Sequence, residues 1–363
     1  MIFAEVLEIK NGRNQRHVEN PNGRYPIYGS GGIMGYANEY ICEPETVVIG
    51  RKGTINNPIY VDVPFWNVDT AFGLQAHKDI LLPKYLFYFC VHFDFESLNT
   101  TVTIPSLTKA NLLKIDIPII PLDEQQRIVT VLDKVNALIK LHQQQLAKLD
   151  ELVKSRFIEL FGDSEFNTMQ WSTKKLSELC DVGSSKRIYQ SEQSTDGIPF
   201  LRISDLNERI DNAETTPGLF IPINKYNELK ENGLVPTVGD ILVTSRGTLG
   251  RCYIVRPKDK FYFQDGMISW LSDLNNQITS LYLSQLFSMT GIQKQIANLQ
   301  AGSTVAYLSI SMLKKLDIML PPLDLQKQFA AFVEQTDKSK LAIQQSLEKL
   351  ETLKKALMQK YFG

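Results

Sequence analysis

Asn57-Pro58-Ile59-Tyr60 is the stretch of this 363-residue chain that comes nearest to an enzyme's signature. A base-amino methyltransferase needs an Asp/Asn-Pro-Pro-aromatic tetrad at the flipped base and a Gly-rich turn after a strand for the methionine end of S-adenosylmethionine. Ile59 stands where the second proline is required, so the tetrad reads as a strand entrance. Gly29, Gly31, Gly32 and Gly35 do not make GxGxxG, and no helical pattern follows them, which argues against a dinucleotide site. A nuclease needs carboxylates clustered near a lysine to hold metal, whereas Asp259-Lys260 and Asp265 are isolated. His17, His77, His92 and His142 share no ligand spacing. Cys42, Cys90, Cys180 and Cys252 form no CxxC pair, which fits a reduced protein without a metal site. No catalytic constellation emerges.

Binding chemistry asks for less. Reading DNA needs Arg or Lys on phosphates, Arg, Asn, Gln, Ser or Thr on base edges, and backbone that can come close. The run Arg24 to Tyr40, RYPIYGSGGIMGYANEY, supplies Arg24, Tyr25, Tyr28, Ser30 and Tyr36 around glycines and reads as a loop. Arg51, Lys52 and Thr54 follow an apolar strand and would stand at its end, as would Ser245, Arg246 and Thr248. Lys186 and Arg187 follow Gly183-Ser184-Ser185, a plausible phosphate grip. Ser303 and Thr304, with Thr101 and Thr103 in the first half, could donate to phosphate. Each group also has an ordinary reading: tyrosines packed on their own domain, charged turns, solvated loops, capped turns.

Two long helices must position these groups. Pro121 to Gly162 returns as Pro322 to Gly363, and a shift of 201 positions carries Gly162 onto Gly363 without a gap. Pro121, Leu122, Asp123 and Gln125 recur as Pro322, Leu323, Asp324 and Gln326, and Phe161-Gly162 as Phe362-Gly363. Ile128, Leu132, Val135, Ile139, Leu146, Leu149 and Val153 step by fours and threes, with gaps at His142 and Arg156. The second copy keeps register through Phe329, Val333, Ile343, Leu347, Leu350 and Leu357, interrupted by Thr336, Lys340 and Lys354. A period of 3.5 marks a coiled coil, so the simplest arrangement buries the two stripes against each other; packing on separate domains is the alternative. Asp123 sits where an N-cap is expected and Gly162 where a helix should stop.

The segments before the helices, residues 1–120 and 163–321, read as mixed α/β or α+β domains, and 121–162 and 322–363 as the helices. Strands are expected over Thr46–Ile49, Asn57–Val63, Ile115–Ile120, from Ile198 and from Gly239. Helices are expected over Pro83–Val91, Trp171–Cys180 and Ser280–Asn298. The second domain echoes the first: Val47 to Thr54 matches Ile241 to Thr248, Asp69 pairs with Asp265, and Thr101 to Thr103 with Gly302 to Thr304. A net charge of −1 and a pI near 6.5 confine any nucleic-acid surface to local patches. The N-terminus MIFAEVLEIK lacks the pattern of a signal peptide, and Leu81–Phe93 is too short to span a bilayer, so a cytoplasmic protein is expected.

The duplicated plan, the PLxxQ helix openings, YPIYGSGGIMGY, the GRKGT and GDILVTSRGT strands and the terminal FG together resemble the specificity (S) subunit of Type I restriction–modification enzymes over essentially the full length. One departure is that the second half opens with WSTKKLSELCDV where the first begins at FAEVLEIK. The resemblance implies two target-recognition domains, each reading half of a split double-stranded DNA target, with an antiparallel helical spacer between. It implies docking of two methyltransferase (modification) subunits and, in the full complex, restriction subunits. S-adenosylmethionine, ATP and Mg²⁺ would belong to those partners, and this chain would be non-catalytic. A Type IIB-like recognition subunit and a non-DNA coiled-coil scaffold are the alternatives.

Overall fold

The computed structural model describes residues 1–98, 106–211, 218–300 and 306–363. Two compact units divide them: residues 1–146 with 342–363, and residues 147–341. The boundary falls within both long helices.

In the first unit, α1 (Phe3–Val6) leads into β1 (Leu7–Asn11). Then come β2 (Tyr25–Gly29), β3 (Gly32–Ala37), β4 (Thr46–Gly50), β5 (Ile59–Val61), β6 (Trp66–Asn67) and β7 (Ala71–Ala76), followed by α2 (Pro83–His92) and α3 (Lys109–Leu112). One antiparallel sheet has the order β1-β7-β4-β5, and a smaller sheet the order β3-β2-β6. Every residue of β4 is buried because both of its faces are covered. Side chains alternate across a strand, so Val47 and Ile49 meet Tyr85, Leu86 and Phe89 of α2. Val48 points the other way, to Ile27, Phe65 and Trp66.

The second unit repeats the plan. Its strands are β8 (Ser172–Lys175), β9 (Asp181–Gly183), β10 (Ile198–Leu201), β11 (Phe220–Ile221), β12 (Ile241–Thr244), β13 (Cys252–Ile254), β14 (Tyr262–Phe263), β15 (Ile268–Ser272) and β16 (Asp317–Leu320). The central sheet runs β13-β12-β15-β9. Ile241 and Val243 pack toward Tyr282 and Leu286, while Leu242 packs toward Tyr253 and Phe263. Flanking this sheet are helices α5 (Ile203–Ile210), α7 (Ser280–Phe287), α8 (Thr290–Leu299) and α9 (Ile310–Leu313), while α6 (Ile223–Glu231) packs on β10, β11 and β14.

The long helices are α4 (Leu122–Phe161) and α10 (Leu323–Phe362), each of 40 residues and about 60 Å long. The predicted seam positions Ile128, Leu132, Val135, Ile139, Leu146, Leu149 and Val153 are all buried or half-buried, as are Phe329, Val333, Ile343, Leu347, Leu350 and Leu357. Pairing is antiparallel within each unit. In the first, Leu132 shares a core cluster with Met358, and His142 Nε2 lies 3.0 Å from Ser346 Oγ. In the second, Lys340 reaches Asp150 at 2.6 Å and the Arg156 guanidinium stands 5.8 Å from the Phe332 ring centre. The polar interruptions His142, Lys340 and Arg156 thus face partners across the seam. Gly162, at φ +77°, closes α4 by donating to Ile158 O at 2.8 Å.

Several expectations change. The Arg24–Tyr40 loop is the β2–β3 hairpin, turned by Ser30 and Gly31. Trp171–Cys180 is β8 plus a 3₁₀ turn (Leu176–Glu178) rather than a helix, because its backbone pairs with β16, Ser172 opposite Leu320. Ser280–Asn298 is two helices, broken where Met289 is extended. Over Ile115–Ile120 only Asp116 bridges, to Ile2, since Pro118 lacks a donor. Asp123 lies inside the first turn of α4, favourable to the helix dipole but no cap. Among the described residues no helix is long and apolar enough to cross a membrane.

Candidate nucleic-acid interface

The two domains carry the same exposed turn. In the first, Arg51 N donates to Thr70 O at 2.8 Å, Arg51 O accepts from Leu107 N at 2.9 Å, and Lys52 bridges Ser106. In the second, Ser245 N donates to Met267 O at 2.9 Å, Ser245 O accepts from Leu308 N at 3.0 Å, and Arg246 bridges Tyr307. Gly53 and Gly247 take left-handed φ values of +79° and +69°, which a residue with a side chain adopts only under strain. Arg51 therefore corresponds to Ser245, Lys52 to Arg246 and Thr54 to Thr248, as the sequence match implies. The same ladders move one other equivalence. Gly50 faces Ala71 and Thr244 faces Ile268, so Asp265 matches Val68 rather than Asp69.

Around the first turn, Arg51, Lys52 and Thr54 are exposed, with the Arg51 guanidinium 5.7 Å from the centre of the Phe72 ring. The hairpin tip touches this turn, because a Cβ on Gly50 would meet the Ser30 Cβ at 3.0 Å. Arg24 stacks over Tyr25 at 5.6 Å, and Tyr25 lies 4.9 Å from Tyr40, a cation–aromatic–aromatic stack at the hairpin base. Tyr36 is exposed, whereas Tyr28 is half-buried against Phe65, and desolvation raises its phenol above the ordinary range. Ile33 and Met34, 55 % and 61 % exposed, stand out from the same hairpin; the sequence reading passed over them, although two large apolar residues beside three glycines were a visible signal.

Around the second turn, Arg246 and Thr248 are exposed, and the Arg246 guanidinium lies 5.1 Å from the Tyr307 ring centre. Ser245 must be withdrawn as a contact residue. Its side chain is 1 % exposed and its Oγ lies 2.7 Å from Ser269 Oγ, because strand alternation turns it inward with Ile241 and Val243. Lys186 and Arg187 are exposed on a segment fastened to the strand opposite. Ser185 Oγ donates to Phe263 O at 2.7 Å, and the Tyr262 hydroxyl accepts from Lys186 N at 2.8 Å and donates to Lys186 O at 3.1 Å. Burial pushes that phenol up to about 12, so it remains a donor at neutral pH. Arg187 Nε pairs with Asp265 at 3.0 Å. Arg187, Arg246, Gln193, Gln264 and Asp265 line one cleft of about 370 Å³. Thr101, Thr103, Ser303 and Thr304 lie outside the described residues.

Each long helix is anchored to its own domain by a buried glutamine. Gln125, fully buried, accepts from Leu82 N at 2.9 Å and donates to Ile80 O and Ile120 O, each at 2.8 Å. Gln326, equally buried, accepts from Thr279 N at 2.9 Å and donates to Gln277 O at 2.9 Å and Pro321 O at 3.0 Å. Among the described residues no group of His, Cys, Asp and Glu is gathered that could hold a metal ion.

One exposed cationic turn built twice, each on its own sheet, in two domains that each hold a long helix by a buried glutamine, defines a duplicated recognition protein. The family model of the Type I restriction modification DNA specificity domain matches residues 3–151 and 169–354, one copy on each half. The chain belongs to that family. It is similar to S.HindORF215P of Haemophilus influenzae, 28 % identical over 358 residues, covering 93 % of this chain and 88 % of the relative. It is also similar to the Type I restriction enzyme MjaVIII specificity subunit of Methanocaldococcus jannaschii, 24 % identical over 331 residues, 86 % of this chain and 74 % of the relative. In fold it is similar to the Type-I restriction-modification S subunit from M. genitalium, with a TM-score of 0.65 at 17 % identity, covering 100 % of this chain and 95 % of that one. A chain solved for complex assembly and conformational transition of the type I R-M system gives a TM-score of 0.54 at 17 % identity, covering 100 % and 96 %.

Proposed function

We propose that this chain is the non-catalytic DNA-reading subunit of a Type I restriction–modification complex, and that each domain reads one half of an asymmetric split target. The observation that carries this is the double family match together with the repeated exposed turn at Arg51–Thr54 and Ser245–Thr248. The turns are alike in backbone and unlike in side chains, so the two half-sites should differ. The helices would set the number of unread base pairs. At about 60 Å they allow no more than about 18 base pairs between half-sites, given a rise of about 3.4 Å per pair.

The helices would also dock two methyltransferase subunits, with restriction subunits joining them. S-adenosylmethionine, ATP and Mg²⁺ would be bound by those partners. Methylation mapping in cells carrying this gene with its modification partner, compared with a deletion, tests the reading. A split methylated motif that disappears on deletion is expected; an unchanged methylation pattern, with no methyltransferase recovered on pull-down, would refute it.

A further inference from the structure

Resting on that reading, the inference concerns what the second domain recognises. Its cleft brings together two arginines, two carboxamides and one carboxylate, and the carboxylate is committed: Asp265 holds Arg187 Nε at 3.0 Å. Arg246 differs. Among the described residues it has no carboxylate partner, its backbone is fixed by the bridge to Tyr307, and its guanidinium lies over that ring. A planar fork restrained by stacking, exposed and unpaired, is organised in advance to donate two parallel hydrogen bonds. On a DNA edge the matching pair of acceptors is guanine O6 and N7 in the major groove. The Asp265 carboxylate stands in the lining of the cleft. It disfavours a phosphate within the cleft and turns Arg187 along it, which favours a base edge over the DNA backbone as the occupant.

We propose that this cleft is the base-reading site of the second domain, that Arg246 reads a guanine there, and that the Arg187–Asp265 pair positions Arg187 beside it. Among the described residues the first domain has no equivalent pairing, since Val68 occupies the Asp265 position, and Lys52 stands where the second domain has Arg246.

The experiment is selection from duplexes randomised at both half-sites, using the full chain assembled with its modification partner. Wild type should select a split motif with a guanine in one half. Arg246→Ala should lose discrimination at that one position by roughly ten- to a hundred-fold while the other half-site is kept. Arg246→Lys should retain overall affinity with relaxed selectivity, showing that the fold is intact. Asp265→Asn should raise affinity for unrelated DNA and loosen selection in the same half; a uniform loss of affinity with unchanged selection would remove its positioning role. A split motif whose every position survives Arg246→Ala, or weakens evenly, would overturn the guanine assignment and leave the proposed function standing. No split motif from wild type would overturn both.

Discussion

Gln326 makes around its carboxamide the same pattern of bonds that Gln125 makes around its own. Each accepts the amide at the start of the docking helix of its domain, Thr279 N or Leu82 N, and donates to two carbonyls. A buried carboxamide satisfied on both ends fixes where a long helix leaves its domain. Tyr85 and Tyr282 repeat the theme, donating to Pro118 O at 3.0 Å and Met319 O at 3.1 Å.

Gln125→Leu should destabilise the first unit by about 3 kcal/mol, since three backbone groups lose partners at a cost of about 1–3 kcal/mol each, partly recovered by water. Gln326→Leu should do the same to the second. Thermal unfolding followed by calorimetry checks both, and a midpoint unchanged by either substitution would show that the anchor is dispensable.

The helix ends give a graded pair. Phe161 is fully buried, 4.8 Å from the Tyr282 ring centre and 5.5 Å from that of Phe329. Phe362 is half-buried, 5.0 Å from Tyr85 and 6.1 Å from Phe89. Phe161→Ala should cost about 3–5 kcal/mol, and Phe362→Ala visibly less. Chemical denaturation of the two variants side by side tests the ranking; equal losses would contradict it.

Alkali should weaken the fold. Burial pushes the Cys42 and Cys180 thiols up to about 12 and the Tyr85 phenol likewise, against ordinary values of 9.0 and 10.0. Between about pH 9 and 12 the unfolded chain has released these protons and the native chain has not. Native protein then binds more protons than unfolded, so stability falls as pH rises through that window and is unaffected by these groups below it. Unfolding midpoints measured from pH 8 to 11 should decline. At pH 8, iodoacetamide should leave Cys42, Cys90 and Cys180 unmodified in native protein and label them in denaturant; rapid native labelling would contradict their burial.

The legible part of this molecule was whatever repeats in spacing. The 3.5-residue seam could be read because burial along a helix follows position, and even the interruptions at His142 and Lys340 fall on it. Val129 escaped, since it faces Leu132 and the domain core one residue away from the seam. The hairpin escaped because its turn is only Ser30-Gly31, and three glycines in four residues look the same in a loop. Ser245 was assigned outward although Ile241, Val243 and Ser245 alternate on one face; the alternation was there to be read. The role of Gln125 was not, because a repeated glutamine carries no mark of the backbone groups that fold around it.

The last prediction tests the helices as a ruler. His142 faces Ser346 and Asp150 faces Lys340, so residues 143–149 and 341–345 lie between these two contacts, and the heptads 143–149 and 339–345 run alongside each other with Lys340 inside the second. Deleting both segments removes one heptad from each helix and leaves the outer seam in register. Each helix then shortens by about 10 Å, the length of about three base pairs. Assembled with its modification partner, the variant should direct methylation to the same two half-sequences with a shorter unread segment, or lose the original target while keeping affinity for each half alone. Methylation mapping in cells carrying the doubly deleted chain reads this out. An unchanged spacer would mean that the helices join the domains without measuring the distance between the bases they read.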